Sequence, residues 1–185
     1  MTITKTIFVS AAIIFLLCSC SFGKKSELET QSEIYSRVMA HGFSYSGSMD
    51  VNYCKDGMLT ISSSTEDFRT VTANWETAKD YFPQLEQETW ESFLQVNAQQ
   101  IAFPTDLDLG CPYILLDIKQ NPPNPPIENC SVVNFFSQIG LNSGKDHALV
   151  SYVQSCGWYS CGTLYFAELI DRHWDIKDFD EIVCA

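Results

Sequence analysis

A regular alternation in the last third of the chain restricts the fold more than any other feature of the sequence. Apolar and polar residues alternate along four segments, which are separated by short turn sequences such as "NSGKD" and "DRH". The segments are "SQIGLN", "HALVSYVQS", "TLYFAELI" and "WDIKDFDEIV". Alternation rich in Val, Tyr, Phe and Leu is typical of strands, so the sequence predicts four antiparallel strands in a C-terminal meander.

The first half of the chain has a helical pattern instead. Apolar residues recur three or four positions apart in three segments, which is the spacing of an amphipathic helix. The positions are Ile34, Tyr35, Val38 and Met39; Val71, Trp75, Ala78 and Phe82; and Trp90, Phe93, Leu94 and Asn97. Capping boxes at Ser26 and Thr30 open the first helix, which should end near His41-Gly42. Pro83 ends the second helix, and the third fits residues 86–97.

Two short segments, "MLTISSS" and "YILLDIK", read as additional strands. The predicted fold class is therefore α+β, with N-terminal helices followed by a mainly antiparallel sheet that disulfides staple together.

The N-terminus predicts export and a lipid anchor. Residues 7–17 form an apolar run that follows Lys5 and is shorter than the roughly 20 residues of a membrane-spanning helix, which is typical of a signal peptide. The end, Leu17-Cys18-Ser19-Cys20, is similar to the bacterial lipobox, which implies cleavage after Ser19 and lipid on Cys20. Ordinary secretion with cleavage nearby is the alternative.

These features predict the domain organisation of the chain and its location in the cell. We expect residues 1–19 to be the signal peptide, residues 20–26 the lipidated cysteine and its tether, and residues 27–185 one α+β domain. The anchor at Cys20 would hold the chain on a membrane of the cell envelope. Ser21 implies the outer membrane if the cell has two, with either face possible.

The charge of the chain restricts its partners. The formal net charge is −12, and loss of Lys5 with the signal peptide gives −12 − 1 = −13. A chain of this charge repels nucleic acid and anionic headgroups, whereas a cationic protein is a possible partner.

Six cysteines remain after the signal peptide and the anchor. An even number in an exported chain predicts three disulfides. The six are Cys54, Cys111, Cys130, Cys156, Cys161 and Cys184. We expect a disulfide between Cys156 and Cys161 to close the hairpin loop. The other four cysteines can pair in three ways, and the preferred pairing is Cys111–Cys130 with Cys54–Cys184. Zinc-type spacing is absent, so we expect no metal site and no cofactor.

Several C-terminal segments resemble a group of bacterial secreted proteins and lipoproteins of unknown function. Their shared features are a Gly-Phe-Asn-like strand, an Ala-Leu-Val-Tyr-Val-like strand, a hairpin with two Cys-Gly pairs, and a closing strand around Trp-Lys-Ile. The matching residues are Gly140-Leu141-Asn142, Ala148 to Val153, Cys156-Gly157, Cys161-Gly162, and Trp174 to Ile176. Leu141 stands in place of the Phe, and Asp175 in place of the basic residue. The resemblance implies the fold and the address but no reaction.

The sequence contains no recognisable catalytic set. "GLNSGKD" departs from a phosphate-binding loop in glycine spacing and in the residue after Lys145, and G-x-S-x-G is absent. We therefore expect a non-enzymatic binding or structural lipoprotein. The alternative is an acidic inhibitor or immunity-type protein that binds a cationic secreted enzyme. Trp158 and Tyr159, at the tip of the stapled hairpin, are the candidate contact residues, unless they fold back onto the sheet.

Overall fold

The computed structural model describes residues 25–45, 59–65, 74–118, 132–156 and 159–184, without the side chains of 43–45, 156, 159 and 181–184. Three helices lie within these ranges: α1 (Glu27–Tyr45), α2 (Trp75–Tyr81) and α3 (Gln87–Val96). The strands are β1 (Leu59–Ser62), β2 (Tyr113–Leu116), β3 (Val133–Phe136), β4 (Gly140–Leu141), β5 (His147–Cys156), β6 (Tyr159–Ile170) and β7 (His173–Cys184).

The strands form one mixed sheet, in the order β2-β1-β3-β5-β6-β7, with β4 alongside β5. Strands β4 to β7 pair with their neighbours in antiparallel fashion, as predicted for the C-terminal meander. β1 instead pairs in parallel with both β2 and β3. The α+β class and the mostly antiparallel sheet are confirmed.

The predicted order of helices before strands is wrong. β1 lies between α1 and α2, and the segment that contains α2 and α3 connects β1 to β2. Parallel neighbours need such a long crossover connection, whereas antiparallel neighbours can be joined by a tight turn.

The central strands are buried on both faces, which gives the described part of the chain three layers. Alternate residues of β5 and β6 face α1 on one side and the α2–α3 pair on the other. On the first side Val150, Tyr152, Tyr165 and Ala167 pack with Ile34, Tyr35, Val38 and Met39 of α1. On the second side Leu149, Leu164 and Phe166 pack with Phe82, Leu85, Trp90 and Phe93.

The start of α1 is capped as predicted, but its end is not where the sequence placed it. The Ser26 N–H donates to Glu29 Oε2 at 2.7 Å, and the Glu29 N–H donates to Ser26 Oγ at 3.2 Å, which completes a capping box. α1 continues through Gly42 to Tyr45. A Cβ at Gly42 would lie 2.8 Å from Tyr152 Cε1, so this glycine serves close packing of the helix on β5 rather than termination.

The other two helices were predicted with small errors. α3 lies within the predicted residues 86–97, flanked by Glu86 and Asn97 as its cap residues. α2 ends at Tyr81, before Pro83, and Asn74 caps its start by accepting a hydrogen bond from the Glu76 N–H at 2.9 Å. Val71, expected on the same helix, lies outside the described residues.

Candidate functional site

A pocket lies at the end of the sheet where the β4–β5 turn and the β6–β7 turn meet the start of α1. We call it the turn-end pocket. Its volume is about 370 Å³. It is lined by three cationic side chains, two hydroxyl residues, a glycine and an apolar pair: Lys25, Lys145 and Arg172; Thr30 and Ser143; Gly144; and Leu169 and Trp174.

The β4–β5 turn is held by the side chain of Asn142, which is buried. Asn142 Oδ1 accepts hydrogen bonds from the Asp146 and His147 N–H groups, both at 3.1 Å. Its Nδ2 donates to Asp146 Oδ1 at 2.7 Å and to Glu86 Oε2 at 3.1 Å. The turn places Lys145 in the left-handed region with φ 57°. Asn142 therefore sets the conformation of the loop that carries Lys145.

The β6–β7 turn lies next to it and carries the second cation. Asp171 and Arg172 have φ values of 49° and 70°, so the two residues that connect β6 to β7 are both left-handed. This conformation is that of a two-residue hairpin turn of type I′, which normally favours Asn and Gly. The Leu169 N–H donates to the Asp146 carbonyl at 2.8 Å and so ties the end of β6 to the neighbouring turn.

Lys25 and Glu33 join the start of α1 to the β6–β7 turn. The Lys25 ammonium group donates to the Glu33 carboxylate and, at 2.6 Å, to the carbonyl of Arg172. Glu33 also accepts the Trp174 N–H at 3.1 Å. Partial burial would raise the pKa of Glu33, but hydrogen bonds from Lys25 and Trp174, and the charge of Lys25, outweigh burial and lower the pKa. Glu33 is therefore ionised at neutral pH and holds Lys25 at the pocket.

The charge around the turn-end pocket contrasts with that of the whole chain. The described residues contain six Lys and Arg, and three of them line this pocket: the six are Lys25, Arg37, Lys79, Lys145, Arg172 and Lys177. Lys25 is paired with Glu33, whereas the side chains of Lys145 and Arg172 form no ion pair with another described residue. Among the described residues, none that lines the pocket carries a carboxylate.

Carboxylates beside the pocket are already bound by protein donors. The Ser143 N–H donates to Glu88 Oε1 at 2.8 Å, and the Ser143 hydroxyl donates to Glu88 Oε2 at 3.2 Å. Asp146 is bound by Asn142, as described above. These hydrogen bonds fix the positions of both carboxylates, which keep their negative charge, and neither carboxylate forms an ion pair with Lys145 or Arg172.

A smaller cavity of about 170 Å³ shares Lys25, Thr30 and Lys145 with the turn-end pocket. Ile139 and Leu141 give it apolar walls, and Glu27 adds one carboxylate at its edge. The two cavities together make a cationic depression with apolar surface on both sides.

A second surface feature of opposite charge lies along the other side of α1. This acidic cleft, about 440 Å³, is lined by four carboxylates, Glu29, Glu33, Asp106 and Asp108, together with Leu28. The Asp108 N–H donates to Ser32 Oγ at 3.0 Å and ties the loop before β2 to α1. No group of three or more residues able to hold a metal ion occurs among the described residues.

His147 lies between two carboxylates close to the turn-end pocket. Its Nδ1 is 3.1 Å from Glu86 Oε2, and its Nε2 is 3.9 Å from Glu168 Oε1. The Nδ1 atom makes no hydrogen bond in spite of this short distance. The ring packs on Phe166 at 5.5 Å between centroids. His147 therefore helps to join α3 to β5 and β6.

For seven of the nine site residues predicted from sequence, the side chain lies outside the part that the structure describes. Cys20, Cys54, Cys130 and Trp158 are outside the described ranges, and for Cys156, Tyr159 and Cys184 only the backbone is described. Trp158 and Tyr159 as contact residues, and lipid on Cys20, thus stay predictions.

Two cysteines of the described part are disulfide-bonded, Cys111 and Cys161. Neither disulfide is described with both of its cysteines. Cys111 lies two residues before β2 and Cys161 lies on β6, four strand spacings away, or roughly 19 Å. Because this distance far exceeds disulfide reach, the two cysteines belong to different bonds.

The sequence interpretation missed the turn-end pocket. The turn sequences "NSGKD" and "DRH" show that Lys145 and Arg172 lie in turns. No local signal shows that Lys25 joins them, because the Glu33–Trp174 hydrogen bond links residues 141 positions apart.

None of the described helices is both long enough and apolar enough to cross a membrane. No protein-family model matches the chain, and neither a curated protein nor a solved structure matches it.

Proposed function

We propose that this chain is a lipid-anchored lipoprotein of the cell envelope whose domain binds a ligand rather than catalysing a reaction. One observation carries the proposal: the side chain of Lys25, five positions after the lipobox Cys20, is bound into the wall of the turn-end pocket. An anchor at Cys20 would therefore keep this cationic pocket close to the membrane.

The chemistry of the pocket supports binding. Its lining supplies positive charge, hydroxyl groups and apolar surface, which are the features of a small-molecule site. The address is the outer membrane in a cell with two membranes, because Ser21 follows the anchor. Three disulfides, two of which involve Cys111 and Cys161, stabilise the exported domain.

The anchor is tested on the lipobox itself. Inhibition of the lipoprotein signal peptidase should accumulate the longer precursor, and mass spectrometry of the mature chain should find an acylated N-terminal Cys20. Cys20→Ala should stay unprocessed, whereas the matched variant Cys18→Ala should be processed and acylated normally. A non-acylated mature N-terminus at any other residue contradicts the anchor.

The acidic cleft favours a second candidate function, an inhibitor or immunity-type protein that binds a cationic secreted enzyme. Glu29, Asp106 and Asp108 present negative charge on one side of α1, in a chain of net charge −12. Binding of this kind weakens steeply as salt screens the charges. Capture of envelope proteins on the mature chain at low and high salt tests it, with Asp106→Asn/Asp108→Asn as the variant. A partner retained by this variant at high salt contradicts it.

A further inference from the structure

We propose that the turn-end pocket binds the phosphate group of a phosphate ester that carries an apolar or neutral substituent. The source of the ester is either a lipid headgroup or a free metabolite. Binding of the phosphate group in the pocket does not depend on the lipid anchor. Only the assignment of the ester to a lipid headgroup rests on the function proposed above.

The charge balance of the pocket points to an anion. Lys145 and Arg172 have no ion-pair partner among the described residues, and Lys25 lies beside them with its charge offset by Glu33. The chain has 23 Asp and Glu against 11 Lys and Arg, yet these two cations of one pocket form no ion pair within the part of the chain that the structure describes. An anion in the pocket provides that partner.

The type of cation and the number of charges point to phosphate. A phosphate ester carries about 1.5 to 2 negative charges and three acceptor oxygens, which matches two unpaired cations. The planar guanidinium group of Arg172 suits bidentate binding of phosphate oxygens, while Lys145 acts as a point charge. The Thr30 hydroxyl, which makes no hydrogen bond with a described residue, is a further donor.

The pocket is larger than a bare phosphate ion requires. The volume of about 370 Å³ lies within the range of small-molecule sites, about 300–1,000 Å³. Leu169 and Trp174 provide apolar surface next to the cations. This combination suits an ester whose substituent lies on the apolar side while its phosphate faces Lys145 and Arg172.

The backbone of the two turns prepares the cations for a ligand. Lys145 and Arg172 are both held in left-handed conformations, which cost free energy for residues other than Gly, Asn and Asp. The Leu169–Asp146 hydrogen bond keeps the two turns together. Little ordering of the backbone is then required on binding, which favours affinity.

The test is an NMR titration of the purified mature chain in nonionic detergent, with its acylation read separately by mass spectrometry. Glycerol 3-phosphate is the soluble probe. In the second arm the chain is reconstituted in phosphatidylcholine bilayers with and without phosphatidic acid. Saturable shifts of the Gly144, Lys145 and Arg172 amide signals are expected in at least one arm. Shifts in the soluble arm identify a free metabolite, and shifts only with phosphatidic acid identify a headgroup.

The variants decide whether the cations are responsible. Lys145→Asn/Arg172→Asn removes both charges while Asn tolerates the left-handed backbone, and it should weaken binding at least tenfold. Lys177→Gln, a cation of β7 outside the pocket, should leave the affinity within twofold, and Arg172→Lys should retain part of it. No shift with either probe, or equal affinity in the double Asn variant, overturns the proposal. If the chain binds the phosphate ester but is not acylated, the binding proposal is supported and only the lipid anchor is contradicted.

Discussion

At the scale of single residues, two positions of the Gly-x-Asn motif have separate structural tasks. Asn142 organises the β4–β5 turn through four hydrogen bonds. Gly140 lets β4 approach the backbone of α3, because a Cβ there would lie 2.4 Å from Phe93 Cα and N. The packing of α3 on the sheet thus requires Gly140, and the conformation of the β4–β5 turn requires Asn142.

Gly140→Ala should therefore destabilise the domain strongly. The added methyl group meets helix backbone rather than a movable side chain, so a cost of roughly 3 kcal/mol, the upper end for overpacking, is expected. Denaturant unfolding measures the change in the free energy of unfolding. Gly144→Ala is the matched control, since its Cβ would lie 3.0 Å from the Asp146 carboxylate, which can move. Equal effects of the two substitutions would contradict the close approach of β4 to α3.

His41 should make stability depend on pH. Burial lowers its pKa below the usual value, and its ring packs against Phe179 at 4.5 Å and Tyr165 at 5.6 Å. The unfolded chain then binds more protons than the folded chain between the folded pKa and about 6.5. The contribution of His41 to the free energy of unfolding should therefore be fully present above pH 7. It should fall as the pH drops from about 6.5 to the pKa of His41 in the folded chain.

His41→Phe removes the titrating group while keeping an aromatic ring. Denaturant unfolding at several pH values between about 7.5 and 5 should show a flatter profile for the variant than for the parent chain. Parallel profiles would assign the pH dependence to other groups. Below this range the ionised Glu33, whose pKa is lowered, adds a further loss of stability as it becomes protonated.

At the scale of the elements, the sequence predicted those that depend on local pattern. The C-terminal strands and α3 have strong periodicity, and both lie where the pattern placed them. β3 was missed although "VVNFF" is rich in strand-forming residues, because four residues with little alternation give a weak signal. The parallel pairing of β1 with β2 and β3 depends on contacts far apart in sequence, which local pattern does not show.

The register of the sheet bears on the predicted Cys156–Cys161 disulfide. Cys161 is disulfide-bonded, and the β6–β7 register places the backbone of Cys184 directly opposite it. The β5–β6 register places Cys156 opposite Tyr159 instead. Directly opposite residues have the Cα separation that a disulfide needs, whereas diagonal neighbours lie further apart.

We therefore expect peptide mapping without reduction to link Cys161 to Cys184 rather than to Cys156. Cys184→Ser should then leave Cys161 free to react with a thiol reagent, while the matched variant Cys156→Ser should leave Cys161 protected. A peptide that joins Cys156 to Cys161 would restore the pairing expected from the sequence and exclude the one that the register favours.

At the scale of the whole molecule, the predicted anchor and the sheet together imply an orientation of the domain. Lys25 lies five positions after Cys20, so an anchored Cys20 would keep Lys25 within at most about 18 Å of the bilayer surface. β6 has 12 residues and runs from Tyr159 to Ile170, a length of about 37 Å. The turn-end pocket should thus lie next to the headgroups, and the hairpin that carries Trp158 should lie away from them.

This orientation can be measured on the lipidated chain in bilayer discs that contain a nitroxide on the lipid headgroup. A nitroxide broadens amide signals near it, so the signals of residues 143–146 and 171–173 should lose more intensity than those of Ser160 and Cys161. The same discs with the nitroxide reduced provide the reference intensities for each residue. Equal broadening at both ends of β6 would mean that the tether lets the domain tumble freely. Stronger broadening at Ser160 would mean that the hairpin, rather than the cationic pocket, faces the membrane, and would remove the headgroup as the source of the pocket's phosphate.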